Sequence, residues 1–521
     1  MKRILTIIII LSTLSCSKIL DKEPPTMYEM DVVLTVEGMN ALLNGAYKIM
    51  SSSGYYGQLL YLYEAAKGPD FFIRNTPGGP SFYSEARYTH SSRTNANART
   101  QWETIYRAIR NLNVVIENID NNKVPGNTDD LRRIMGEAFL LRGLCYFDLM
   151  RLFAYPPTFS VPGRARYDEE FRWGVPIITT IRRGTTGADF EVRRETADST
   201  YKFIIENFEL AYQFLQGRAS VPGYANAATA KALLIRAHLY REDWSTVVEL
   251  GEAWIAEFGG FYSMISHENY PTTYHKPFNS ESIWEFGYLP SDNLGNNSLN
   301  FWVRRPTWDE PGSERDGTIS RNEGYSKLGL TSRHPTRGLD FLEASANDVR
   351  RYLICDMGVI IDGQPRKTIR KYVGNPTHSV HNIPVVRLPE VFLSIAEAYA
   401  NLGNMAQASA FTSLVSQPRR RADANVTSVT HVLDERRREL ILEGHTYWDH
   451  FRTARHFTNR EVVESNNFQV INFGIIPFTA TRHSRAVYAV PLSEMDANPA
   501  MRDQQNPGYP AWVSIIGEDD E

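Results

Sequence analysis

RLPEVFLSIAEAYANLGNMAQA (residues 387–408) and LDERRRELILEGHTYWDHFRT (residues 433–453) decide how the rest of this chain is read. In the first stretch Leu388, Val391, Phe392, Ile395, Tyr399 and Leu402 have the spacing of one buried helix face. Pro389 fits a first helical turn, where its missing N–H costs nothing. Gly403-Asn404 is a stop signal, because glycine takes the left-handed position past a helix end without a Cβ clash. Ala408, Phe411, Leu414 and Val415 mark a second helix, so the pair forms a helical hairpin. In the second stretch Leu440, Gly444, Tyr447 and Phe451 share one face of a predicted helix, with Ile441 and Trp448 beside them. Glu435, Arg436, Arg437, Arg438, Glu439 and Glu443 crowd one segment. Glu435 with Arg438, and Arg436 with Glu439, have the spacing of helical ion pairs. We read this as a structural network locking the helix to its neighbours rather than as a catalytic carboxylate pair.

Outward from this region, helical periodicity recurs. A first helix is predicted over 32–52, and others over 102–116, 131–152 and 196–215, the last opened by Thr196 as N-cap. The clearest hairpin spans 225–258. Ala227, Ala230, Leu234, Ala237 and Tyr240 give one helix a small-residue face, and a turn at Glu242-Asp243 leads to Trp244, Val247, Val248, Gly251, Trp254 and Ile255. Small residues let two helices approach closely, which is the logic of a tetratricopeptide-like unit, although the repeat period is irregular. Two stretches lack this pattern. Residues 54–97 mix Tyr and Phe with Gly and Pro and read as an aromatic loop. Residues 261–384 are rich in Pro, Gly, Asn and Tyr and read as an irregular lobe with short strands. The expected fold is therefore mainly α, a scaffold of tetratricopeptide-like helical hairpins with a loop-rich lobe.

The chain has 521 residues, of which 42% are hydrophobic, enough for a large core. Its formal net charge of -4 gives no basic excess, so nucleic acid is not an expected partner. Lys2 and Arg3 precede a short apolar run that ends at Thr13-Leu14-Ser15-Cys16, too short to span a bilayer and suited to a signal peptide. A Cys at that point is the expected lipidation site, with an ordinary secretory signal and an incidental Cys as the alternative. Cys145 and Cys355 make no disulfide framework, and Cys145 reads as a small buried hydrophobe. No GxSxG elbow, P-loop, HExxH or paired CxxC is present. The 12 His are scattered. His378 and His381 have helical spacing, but Pro376 and Pro384 flank them. No catalytic residue, metal site or cofactor is expected, and the chain does not read as an enzyme.

EVFLSIAEAYANLG, RRRADA and ERRRELILEGHTYWDHFR together resemble the C-terminal signature of the SusD/RagB family. The aromatic-Asp-x-x-Arg ending is Trp448, Asp449 and Arg452. VYAVPLSEMDANPAMRDQQNPGYP, residues 487–510, is similar to the family's closing element. EAFLLRGLCYFDLMRLF resembles its second conserved helix, and Trp173-Gly174-Val175-Pro176-Ile177 its GVP turn. The sequence departs from the pattern at His445-Thr446-Tyr447, where the family often has an Arg before the aromatic.

The resemblance implies a surface lipoprotein of the outer membrane. It implies a signal peptide over 1–15 and an acylated Cys16 with a tether over 16–31. An N-terminal helical region over 32–260 and a C-terminal region over 261–521 follow. In the latter, 261–384 would be the ligand-face lobe and 385–521 the helical signature and closing segment. The implied partner is a SusC-like TonB-dependent transporter, with the helical side facing it. The implied ligand is an oligosaccharide or polysaccharide, or a peptide in RagB-like members. A purely protein-binding helical scaffold and a glycan hydrolase are the competing classes. Aromatic rings suit the apolar face of a sugar, and Asn and Arg suit its hydroxyls. On that ground Phe72, Arg74, Phe82 and Tyr83, with Asn300, Trp302, Arg304 and Trp308, are the candidate ligand-binding residues.

Overall fold

The computed structural model describes residues 34–74, 81–180, 191–303, 327–331, 338–361, 364–372, 380–419, 426–457, 460–463, 470–473 and 485–510. Residues 1–31, where a signal peptide, an acylated Cys16 and a tether are expected, lie outside them. The fold is mainly α-helical, with stacked hairpins and a loop-rich region bearing short strands. The helical scaffold consists of α1 (Val36–Met50), α2 (Leu59–Lys67), α3 (Tyr83–Ala86), α4 (Ala96–Asp120), α5 (Thr128–Phe153), α6 (Ala197–Leu215), α7 (Ala227–Arg241) and α8 (Trp244–Phe258). Successive members pack on one another from α4 to α8. Their starts are fixed locally. Thr35, Asn95, Thr196 and Asn226 each accept a hydrogen bond from a first-turn N–H, supplying a partner the helix itself lacks.

The small-residue reading of the 225–258 hairpin holds, and it extends further than the hairpin. A Cβ placed on Gly251 would stand 2.3 Å from Ile395 Cγ1, so α8 needs glycine there to lie against the next helix. That helix is α10 (Leu388–Asn401), which with α11 (Met405–Ser416) forms the C-terminal hairpin. Gly403 has φ +82, as the stop signal requires. One apolar cluster runs through both regions, from Met39 to Met501.

The second stretch is not one helix. It divides into α12 (Val429–Glu439) and α13 (Thr446–Arg452), with Leu442 and Gly444 in left-handed conformations. Distant groups hold this break open. Lys371 Nζ donates to the carbonyls of Glu439 and Ile441, and the Tyr372 hydroxyl donates to that of Leu442. The Glu64 carboxyl on α2 accepts the Gly444 and Thr446 N–H groups, capping α13 from across the molecule.

The charges of this segment form a network inside the protein. Glu439 accepts Arg387 at 3.1 Å, Arg350 at 3.2 Å and Arg419 at 2.9 Å. Arg419, with no solvent exposure, also reaches Glu281 at 2.7 Å and the Ile265 carbonyl at 3.0 Å. Arg436 pairs with Asp449 at 2.8 Å, and Arg452 pairs with Asp449 and bidentately with Glu397. Of the two pairs expected from spacing, Glu435 and Arg438 approach to 3.6 Å, whereas Arg436 and Glu439 turn to different partners. Burial alone would raise the Glu439 carboxyl, but Arg419, Arg387 and Arg350 hold it well below its ordinary range.

Glu64 behaves in the opposite sense. Burial raises its carboxyl from 4.5 to about 7, against the pull of the Gly444 and Thr446 N–H groups. Between those values the folded protein holds a proton that the unfolded chain has lost. This group's contribution is therefore fully present below 4.5 and declines as pH rises towards 7. Urea midpoints should show a steeper loss over this interval in the native protein than in Glu64→Gln. Parallel pH profiles for the two would refute this assignment.

The described strands form small sheets. A four-stranded sheet has the order β3 (Leu328–Leu330), β1 (Phe71–Arg74), β7 (Arg460–Val463) and β8 (Val470–Phe473). β1 runs antiparallel to β3, pairing Phe72 with Gly329, and parallel to β7. β2 (Ser282–Phe286) pairs with β6 (Ile383–Arg387), and β4 (Ile354–Ile361) with β5 (Gln364–Ile369), both antiparallel. Residues 54–97 differ from the loop expected there. Tyr55, Tyr56, Tyr61 and Tyr63 are buried, and α2 is buried along its whole length. With every side covered by protein, α2 has no polar face to reveal a helical period.

Candidate functional site

Strand pairing brings the two candidate stretches together. The Arg74 N–H donates to the Lys327 carbonyl at 2.8 Å, and the Lys327 N–H donates to the Trp302 carbonyl at 3.1 Å. Trp302 belongs to a short helix, α9 (Leu299–Val303). Its ring meets Phe82 edge-on with centroids 6.0 Å apart, and the Lys327 ammonium lies 5.1 Å from it. Phe82 directly precedes α3, which packs on β1. The register requires a bare backbone opposite Phe72, since a Cβ on Gly329 would stand 2.2 Å from that ring.

Burial divides these residues. Phe72, Phe82, Asn300 and Trp302 are buried, Trp302 completely. Their rings contribute packing beneath the surface and offer no face to solvent. The Trp302 indole N–H finds no hydrogen-bond partner among the described residues. Arg74 and Tyr83 are half-buried and reach the surface. Arg304 and Trp308 lie outside the described residues. The sequence reading passed over Arg87, whose guanidinium donates to the Tyr83 hydroxyl at 2.7 Å and lies 5.2 Å from the Tyr83 ring. Its position four residues after Tyr83 is the signal that would have found it. It also passed over Lys327, which only strand pairing brings to Trp302.

Among the described residues, Arg74, Arg87 and Lys327 bring cations to this neighbourhood. Burial lowers the Arg74 guanidinium. Burial, and then the nearby Arg74 charge, lowers the Lys327 ammonium. Such a face can donate hydrogen bonds to oxygen-rich ligands and offer a phenol ring to an apolar one. Among the described residues, no group of three or more His, Cys, Asp or Glu is placed to hold a metal ion.

Comparison with known proteins agrees with this architecture. Residues 18–240 match a SusD-like family model described as starch-binding and associating with the outer membrane, and residues 363–509 match the SusD family model. A SusD-like protein of Formosa agariphila is 23% identical, over 97% of this chain and 99% of its own length. A SusD superfamily protein from Bacteroides thetaiotaomicron is 26% identical with a TM-score of 0.75, covering 91% of this chain and 100% of that one. One from Bacteroides vulgatus is 25% identical with a TM-score of 0.76, covering 91% and 99%. With both ends of the scaffold matched and the same fold found across the length of these relatives, the chain belongs to the SusD/RagB family, whose members are non-catalytic binding proteins associated with the outer membrane.

Proposed function

We propose that this protein captures oligosaccharides at the cell surface and passes them to a SusC-like TonB-dependent transporter, held at the outer membrane by a lipid on Cys16. The observation that carries this reading is the match of residues 18–240 to a model described as starch-binding and associating with the outer membrane. The ligand meets the surface where Arg74 and Tyr83 emerge, while the helical side faces the transporter; Arg304 and Trp308 remain candidates by sequence. In this division 32–260 and 385–521 supply the scaffold, and 261–384 together with the aromatic stretch 54–97 the ligand face. The chemistry supports a sugar. The Tyr83 ring is steadied by Arg87 and can stack on ring C–H groups, while the Arg74 guanidinium donates to hydroxyls.

The test is binding of the purified protein to a panel of oligosaccharides and peptides, repeated with Arg74→Ala and Tyr83→Ala. Each variant should weaken oligosaccharide binding by about tenfold, equivalent to ~1.4 kcal/mol. Unchanged affinity in both would move the site elsewhere, and binding of peptides alone would overturn the sugar reading.

A further inference from the structure

A second cavity, of about 580 Å³, opens between α1, α5 and the connection from α6 to α7. It shares no lining residue with the face around Arg74 and Tyr83. Its volume is within the range of about 300–1,000 Å³ typical of small-ligand pockets. The α6–α7 connection that closes it is shaped by left-handed glycines at Gly217 and Gly223 and by a turn from the Tyr224 N–H to the Val221 carbonyl. This places Tyr224 at the cavity rim, 39% exposed, with its ring meeting Tyr47 edge-on at 5.4 Å.

The wall beneath is rigid and polar. The Tyr47 hydroxyl donates to Glu137 at 2.7 Å and accepts the Ala225 N–H at 2.9 Å. Arg133 spans Glu137 at 2.7 Å and the Asn40 side-chain Oδ1 at 2.6 Å. This chain of bonds fixes both sides of the cavity before any ligand arrives. It leaves specific capacity unused. The Asn40 amide NH2 and the whole Asn44 amide make no hydrogen bond to any described residue. Arg218 spends one N–H on Asp129, at 3.1 Å.

We propose that this cavity is a second saccharide site, taking a short neutral sugar with one ring stacked on Tyr224 and its hydroxyls on Asn40, Asn44 and Arg218. Three features select that class. A half-exposed phenol ring, pinned from behind, suits the C–H face of a pyranose. An unpaired amide both donates and accepts, as sugar hydroxyls do. Each arginine of the lining already has a carboxylate partner, Arg133 with Glu137 and Arg218 with Asp129, which weakens the pull of the cavity on an anion. A carboxylate ligand would also face the Glu137 oxygens. The proposal does not depend on the ligand face around Tyr83.

The experiment is ligand-observed saturation-transfer NMR on the full-length protein in detergent. The probes are maltose, cellobiose, laminaribiose and xylobiose, with galacturonic acid as the anionic arm. The native protein is compared with Tyr224→Ala, Asn44→Ala and Tyr83→Ala, each checked for native circular dichroism. At least one neutral disaccharide should bind, with affinity reduced about tenfold in Tyr224→Ala and Asn44→Ala and kept in Tyr83→Ala. Absence of binding by every disaccharide, binding of galacturonic acid alone, or signals unchanged in both Tyr224→Ala and Asn44→Ala would overturn it. Loss confined to Tyr83→Ala would also overturn it, while upholding the first site.

Discussion

Arg419→Met should destabilise the protein by about 3–5 kcal/mol, seen as a large fall in the urea midpoint. The arginine is wholly buried, and its guanidinium serves Glu439, Glu281 and the Ile265 carbonyl together. Among the described residues, removing it leaves Glu439 with Arg387 and Arg350 as cationic partners, and Glu281 with Arg387. A buried carboxylate that loses a partner keeps its desolvation penalty, so the loss exceeds anything the pair gained in forming. Arg419→Lys should recover little. An ammonium is a point charge, and it cannot reproduce a planar fork directed at three acceptors. Replacing Glu439 by Gln in the Arg419→Met background should cost less than the two single changes added together, because the stranded charge is removed as well. A native urea midpoint in Arg419→Met would show that the network contributes little to stability.

Trp302→Ala should cost about 3–5 kcal/mol of stability, the usual penalty for emptying the site of a buried Trp. Its ring is fully enclosed, with Phe82 against its edge and Lys327 nearby. Any fall in ligand affinity in this variant comes through displaced neighbours, since Lys327 is also bonded to Arg74. Arg74→Ala and Tyr83→Ala act at the surface and should leave the thermal midpoint near the native value. A melting scan of the three variants separates these effects. A Trp302→Ala protein that melts like the native one would place its ring at the surface, contrary to this account.

The helical scaffold was legible where a helix has one buried face and one wet face. The Thr196 cap and the Gly403 stop are local signals and both are realised, and Leu388, Val391 and Ile395 are buried as their spacing requires, whereas Phe392 and Tyr399 are half-buried and Leu402 is exposed. What was not legible depends on residues far away. α2 is covered on all sides, Glu64 and Lys67 included, so its apolar and aromatic run carries no helical alternation. The break at Leu442 and Gly444 is held by Glu64, Lys371 and Tyr372, and its one local sign within residues 433–453 is Gly444, placed above on a continuous helix face. The candidate ligand stretches were found as places where aromatics meet Asn and Arg. Composition does not say which rings point inward, and Phe72, on the strand paired with Leu328–Leu330, lies in the core together with Phe82 and Trp302.

The cap that Glu64 places on α13 carries a consequence for how the chain is made. Glu64 and Gly444 are 380 residues apart along the chain, and Asp70 and its partner Arg437 are 367 apart. The Tyr63 hydroxyl must wait 423 residues for the carbonyl of Ala486. A nascent chain emerging from its N-terminus therefore exposes α2, apolar apart from Glu64 and Lys67, long before anything exists to cover it. Contacts of such sequence separation make closure slow, and the loop entropy is lost before they form. The N-terminal helices cannot be finished as an independent piece, so the growing chain needs protection from aggregation until its last hundred residues arrive.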